Sequence, residues 1–433
     1  MTAIVDPVVA PLPLDLPQVE RRYVLPDGFV AGATTCGIKA SGRPDLAIVA
    51  ASGDAVPAAG IFTQSSFAAA PVLLSGAHLS SGGESNAGHA KVVISTSGCA
   101  NAATGPAGDA DQLAIAEHVA GALGVPTTEV LCLSTGIIGT RLPVDRVRAG
   151  IDELIAAGLS AEPGGLEAAA EALRTTDSHA KVATATVSLP DADGLAARVV
   201  RVTGIAKGVG MIHPSMATML SILVTDADAA ASTLHELLTD AATRSWNQLS
   251  IDGDTSTNDT VFLLASGAAG AGRVAPRSAA ATTLGAAIAA VARDLARQQA
   301  ADGEGATTLI TCQVSGAIDD REARAVARAV VSSSLVKAAV HGRDPNWGRI
   351  AGAAGNAEAR IDTARVRIAI AGQIVYDGTA GGPVPFDQAA TAAAMNAPEV
   401  LFRLDLGLGE GTGEAFGCDL TEEYVRENSE YTT

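Results

Sequence analysis

The stretch Lys207-Gly-Val-Gly-Met-Ile-His-Pro-Ser-Met-Ala-Thr-Met-Leu220 sets the terms on which this chain can fold. It continues as Met219-Leu-Ser-Ile-Leu-Val224, a short apolar run that reads as a buried strand. Gly208, Gly210 and Pro214 ahead of it oppose a helix, so Thr218 is predicted to stand where an irregular loop enters that strand. Such a corner suits an unusual chemistry. A strained Ala217–Thr218 peptide bond is open to attack by the threonine's own hydroxyl, an N-to-O acyl shift, and hydrolysis of the ester leaves Thr218 as a new chain start. A threonine hydroxyl is a weak nucleophile without a base. The freed α-amine, with a pKa of about 8, supplies that base on the same residue. Read alone, Met-Ala-Thr-Met-Leu is better taken as the plain start of a core strand, since such strands are common.

Strands and helices intermix around this point without strict βαβ alternation. Short strands with turns are predicted at Gly37–Ala47, Gly60–Thr63 and Ala70–Leu74, and further strands at Lys91–Ser95, Val130–Gly139, Ala197–Val202, Thr260–Ala265, Thr308–Val314 and Val366–Ala371. One helix is predicted to be capped by Asp109, with Leu113, Ala116, Ala120 and Leu123 on its apolar face; a second carries Val144, Val147, Ile151 and Leu154. Two more are expected near Ala229–Thr243 and around Leu284, Ile288, Val291 and Leu295. The proline-rich residues 1–25 read as a loose leader, with order beginning near Val24. The mixture predicts layered α/β packing of the α+β type, with much antiparallel pairing.

Charge and cysteines exclude several functions. A net charge of -18 argues against nucleic acid or an anionic membrane as partner, since both demand a basic face. The five cysteines, Cys36, Cys99, Cys132, Cys312 and Cys418, form no CxxC pair, so neither a disulfide framework nor a structural zinc is expected, and a reducing cytoplasm fits. No signal peptide and no membrane span is expected. Asp252-Gly-Asp-Thr-Ser-Thr-Asn-Asp259 has the carboxylates of a calcium loop but lacks its glycine (Thr257) and its closing glutamate (Leu263), and is read as a hydrogen-bonded structural loop without metal. No GxGxxG, Walker or HExxH pattern occurs, and the histidines form no convincing Ser-His-Asp set.

The Ala217-Thr-Met-Leu220 run resembles the self-cleavage motif of the ornithine acetyltransferase (glutamate N-acetyltransferase) family of arginine biosynthesis. Further stretches resemble the same family: Gly37–Ala47, Ser134-Thr135-Gly136, Arg174-Thr-Thr-Asp-Ser178, Asp302-Gly-Glu-Gly-Ala-Thr307, Gly342-Arg-Asp-Pro-Asn-Trp-Gly-Arg349 and the tail Asn428-Ser-Glu-Tyr-Thr-Thr433. The resemblance implies that Thr218 is nucleophile and base, and that Thr135 and Gly136 form an oxyanion hole, for which a hydroxyl and a closely approachable backbone N–H are suitable donors. It implies substrate contacts from Ser178, Lys207, Thr218, Glu304, Asn428 and Thr433. Lysine suits a substrate carboxylate, and Glu304 a substrate ammonium. The Gly342–Arg349 stretch is expected to support the site or an oligomer contact.

The implied fold is an α-β-β-α sandwich layered like the N-terminal-nucleophile hydrolases, with a smaller C-terminal α/β part. An α chain of residues 1–217 and a β chain of 218–433 would form one catalytic unit, assembled as an α2β2 heterotetramer. The implied reaction is ping-pong acetyl transfer from N2-acetyl-L-ornithine to L-glutamate, without cofactor, acetyl-CoA being an open second donor. Two departures keep rivals in view: Ser178 stands where the family pattern has threonine, and Cys99 where it commonly has asparagine. The rivals are transfer to a different amine acceptor in a specialised pathway, discharge to water as in an amidase or aminopeptidase, and an uncleaved binding protein.

Overall fold

A computed structural model of the chain describes residues 9–12, 14–190, 197–213 and 219–430. Ala217, Thr218 and Thr433 lie outside these residues. The run after Thr218 is a strand, Leu220–Thr225, buried at every position. It lies centrally in a seven-stranded sheet, antiparallel to Arg198–Lys207 and parallel to Thr260–Ala265. Side chains alternate between sheet faces, and both faces of this strand are apolar. Leu220, Ile222 and Val224 join one core, while Met219 and Leu223 join another. Thr260–Ala265 divides the same way, with Phe262 and Leu264 on one side and Val261, Leu263 and Ala265 on the other.

The first of these cores lies between two sheets. A four-stranded sheet of Phe29–Thr34, Leu46–Ala51, Val92–Cys99 and Val130–Ile137 contributes Val49, Val93, Leu131 and Leu133 to it. Helix Pro163–Leu173 adds Leu166 and Leu173. Outside the four-stranded sheet pack helices Gly105–Leu123 and Val144–Ala157, and outside the seven-stranded sheet helices Ala231–Arg244 and Ala279–Ala301. The layering is therefore α-β-β-α, as expected. Helix Ala279–Ala301 is long and apolar enough to cross a membrane, but its Leu284, Ile288, Val291 and Leu295 are buried against the sheet, which marks a core helix. A second seven-stranded sheet, built around Leu309–Ala317, Glu399–Asp405 and Gly411–Cys418, carries helices Asp320–Ser332, Ser334–His341 and Trp347–Gly355 and forms the C-terminal part.

The structure differs from the sequence reading in local places. Ala70–Leu79 is a helix, not a strand: Pro71 occupies its first turn, where a missing N–H is harmless. Helix Gly105–Leu123 starts before Asp109, with Pro106 in its first turn, and buries Ile115, Ala116, Val119 and Ala120 while Leu113 is exposed. Order also begins before Val24, because Val19–Glu20 pairs with Thr184–Ala185 at the sheet edge and Arg21 bonds Asp294 at 3.0 Å. The Gly342–Arg349 stretch belongs to the C-terminal layer, where Arg343 donates to Thr308 Oγ1 at 2.8 Å.

One buried chain of bonds connects this core to the strand end that precedes Thr218. Trp246 Nε1 donates to Gln299 Oε1 at 3.0 Å, and Gln299 Nε2 donates to the Lys207 carbonyl at 2.9 Å. Trp246 and Gln299 are fully buried. Trp246→Phe strands the Gln299 carbonyl, which costs about 1–3 kcal/mol. Urea unfolding should show the midpoint falling accordingly; an unchanged midpoint would remove this bond from the account.

Candidate active site

A cleft opens at the end of the seven-stranded sheet where Lys207 pairs with Leu220, two residues after Thr218 in sequence. Its lining draws on widely separated segments and includes Thr135, Gly136, Thr176, Lys207, Glu304 and Asn428. The sheet register explains the convergence. Val92–Cys99 and Val130–Ile137 run parallel, so the loops that follow them leave the four-stranded sheet at the same end. Asn258 ties those loops to the seven-stranded sheet, its buried Nδ2 donating to the Ala100 and Ser134 carbonyls at 2.7 and 2.8 Å.

Thr135 and Gly136 sit at that strand end. Gly136 has φ +126°, and a Cβ there would stand 2.3 Å from the Gly98 carbonyl carbon, so backbone shape and close approach both demand glycine. Lys207 Nζ donates to Thr135 Oγ1 at 3.1 Å. Burial lowers the Lys207 pKa, while Asp177 pulls the other way. The lysine expected to meet a substrate carboxylate therefore also grips the threonine expected to face the oxyanion. Cys99 is buried in the helix-side core with its thiol toward the Thr140 carbonyl at 3.2 Å, and does not line the cleft.

In the same cleft, Glu304 is held at three points. Its N–H donates to the Val209 carbonyl at 2.8 Å, Oε1 accepts from Thr176 Oγ1 at 2.8 Å, and Oε2 accepts from Asn428 Nδ2 at 3.0 Å. A Cβ on Gly210 would fall 2.3 Å from Oε2, so the glycine loop leaves room for this carboxylate. Asp252 and Asp254 line the same cleft, and burial together with Asp252, Glu304 and Asp254 pushes the Tyr424 phenol up. The cleft thus presents carboxylates and, at Lys207, an ammonium.

Ser178 lies in the loop that leads to strand Lys181–Leu189. Its hydroxyl and N–H turn to Asp302, outside the cleft lining, and Thr176 from the same run reaches the cleft instead. The reason is a buried cluster that sequence reading missed. Lys181 Nζ donates to Asp177 at 2.8 Å and to Asp302 at 2.6 Å, and the same Asp177 oxygen accepts the Gly208 N–H at 2.8 Å. Asp177 lies four residues before Lys181, an i, i+4 pairing the sequence displays without revealing its burial. The Asp252 loop plays the structural part expected of it, its carboxylate accepting the N–H groups of Met211 and Ile212. Met211 has φ +54°, a left-handed conformation that non-glycine residues adopt rarely.

Asp259, also missed, is buried beside Lys207, and burial pushes its carboxyl well above the usual carboxylate range. His213 bonds Ser250 Oγ through Nδ1 at 3.0 Å; burial, with Arg328 and Lys337 nearby, lowers its pKa to about 4, so it is neutral at pH 7.

The Asp177 carboxyl is buried, yet Lys181, Lys207 and the Gly208 N–H hold it below the ordinary carboxylate range. A depressed pKa contributes stability above the unfolded value, about pH 4, that is lost as the pH falls through the folded value. Asp177→Asn should therefore cost about 3 kcal/mol or more at pH 7, as expected for breaking a buried pair. The gap between variant and wild type should stay constant above about pH 5 and narrow below pH 4. A gap independent of pH would show that Asp177 is not ionised in the fold.

The family model described as the ArgJ family matches residues 30–433. The arginine biosynthesis bifunctional protein ArgJ of Synechococcus sp. is 44% identical over 426 residues, covering 96% of this chain and 98% of that protein. Its counterpart from Thermus thermophilus is 46% identical over 410 residues, covering 94% and 99%. A crystal structure of ornithine acetyltransferase from Mycobacterium tuberculosis complexed with ornithine is 40% identical, covers 46% of this chain and 99% of its own, and superposes with a TM-score of 0.40. With nearly its whole length matched in this way, the chain belongs to the ArgJ family of arginine biosynthesis bifunctional proteins.

Proposed function

We propose that the cleft transfers an acetyl group from N2-acetyl-L-ornithine to L-glutamate through an acetyl-Thr218 intermediate. Membership of the family makes the chain an acyltransferase of arginine biosynthesis. The observation that carries the mechanism is the arrangement at the strand end, where Thr135, Gly136, Lys207, Glu304 and Asn428 line one cleft.

In the first half-reaction the Thr218 oxygen bonds to the acetyl carbon while its proton passes to the Thr218 α-amine. The oxyanion of the tetrahedral intermediate accepts the Thr135 hydroxyl proton and the Gly136 N–H. Because Lys207 donates into Thr135 Oγ1, it polarises that O–H and leaves its proton free to point at the oxyanion. The carbon–nitrogen bond then breaks, the α-ammonium returns its proton to the departing nitrogen, and ornithine leaves. In the second half the glutamate amine attacks the ester, its proton passes through the same α-amine to the Thr218 oxygen, and N-acetylglutamate is released. Lys207 and the acids of the cleft suit a substrate carrying both a carboxylate and an ammonium. This pairing favours an amino-acid acceptor over water.

Self-cleavage at Ala217–Thr218 frees the α-amine. The fragments 1–217 and 218–433 stay together because Arg198–Lys207 and Leu220–Thr225 are paired neighbours in one sheet. The working assembly is an α2β2 heterotetramer in the cytoplasm, without a resident cofactor; acetyl-CoA as a second donor is a matter for assay.

Thr218→Ala should run as a single uncut band on a denaturing gel and have no transferase activity. Normal cleavage of that variant would rule out Thr218 as the nucleophile. Thr135→Ala should lower kcat by roughly 10²–10³-fold, the usual cost of losing one oxyanion donor. An unchanged kcat would place the oxyanion elsewhere.

A further inference from the structure

A second concavity lies between helix Asp320–Ser332 and the end of helix Ala231–Arg244. Arg321, Arg324 and Arg328 follow one another at i, i+3 and i+7, so they lie along one face of the helix. Gln64, Thr243, Asn247 and Gln248 complete the wall, and no Asp or Glu is among the described lining residues. The cations are poorly matched. Arg321 comes no nearer than 4.0 Å to Glu322, whose carboxylate also bonds Arg360 at 3.3 Å. Arg324 stands 4.0 Å from Asp320. Arg328 Nε and Nη2 are buried without a hydrogen-bond partner, and burial lowers its pKa with no acid opposing.

Two buried guanidinium nitrogens without a hydrogen-bond partner are costly, which points to something that completes them. Gln248 Oε1, in the same wall, is a buried acceptor that also has no partner. Unmatched donors beside an unmatched acceptor describe a ligand that is anionic and carries a hydroxyl. Nor does composition explain the cluster, since the chain as a whole is strongly acidic.

We propose that this concavity binds a phosphate-sized oxyanion, with Arg321, Arg324 and Arg328 donating to it and Gln248 accepting from its hydroxyl. Phosphate near neutral pH offers both features. Planar guanidinium forks suit such oxygens. The site shares no lining residue with the catalytic cleft. Arg328 is nevertheless close enough to hold down the His213 pKa, so a bound anion lowers the positive potential on the loop that leads from Lys207 toward Thr218.

The test is calorimetric titration of the purified protein with inorganic phosphate, against sodium chloride of matched ionic strength. Wild type should show one saturable site per chain. Arg321→Gln and Arg328→Gln should each weaken it by about tenfold or more, the loss expected for one hydrogen bond to a charged group. Arg321 is exposed, so its variant decides the matter if Arg328→Gln does not fold. No saturable binding in wild type, or equal binding in a folded variant, overturns the proposal. So does a native mass of Arg321→Gln below that of the wild type, by light scattering. That result would make the face a contact between copies.

Discussion

A single buried ammonium, that of Lys181, sits between Asp177 and Asp302, and the shape of the cleft depends on it. Lys181 begins a strand of the central sheet, Asp177 belongs to the loop that carries Thr176, and Asp302 caps the long helix just before Glu304. One charge therefore fixes three segments against each other. Asp177 also accepts the Gly208 N–H, which anchors the glycine loop immediately after Lys207. Each partner satisfies a charge that would be expensive to leave alone in this interior, so the members stand or fall together.

The electrostatics of the cleft follow from that anchoring. Glu304 is carried to its place by a turn bonded to Val209 and finds donors in Thr176 and Asn428. Lys207 is desolvated enough for its pKa to fall, yet remains within the field of Asp177, Glu304 and Asp259. The sheet does the rest. Because the strand after Thr218 is wedged between Arg198–Lys207 and Thr260–Ala265, its starting point is set by hydrogen bonds on both sides. Asp252, accepting from the Met211 and Ile212 N–H groups, fixes the chain just after the glycine loop.

Much of this was readable in the sequence because the relevant signals are local. The strand Leu220–Thr225 announces itself as an apolar run, and the helix faces built on Leu284, Ile288, Val291 and Leu295 repeat at the helical period. Ala70–Leu79 was misread because a run of five apolar residues fits either state, and only the first-turn meaning of Pro71 separates them. The strand Val19–Glu20 is too short to leave a pattern. Thr135, Gly136, Lys207, Glu304 and Asn428 were found by resemblance, and the fold brings them to one cleft. A motif does not say which hydroxyl of Arg174–Ser178 faces inward; that depends on Asp302, distant in sequence. Burial likewise distinguishes Lys181 and Asp259 from ordinary surface charges, and no local pattern encodes it.

The central claim is that Thr218 carries the acetyl group between two amino acids. Intact mass under denaturing conditions, after brief incubation with N-acetylornithine and no acceptor, tests it most directly. The account predicts two fragments divided at Ala217–Thr218, with an acetyl-sized increment confined to the one that begins at Thr218 and lost on addition of glutamate. An increment on the other fragment, or its persistence in the presence of glutamate, would contradict it.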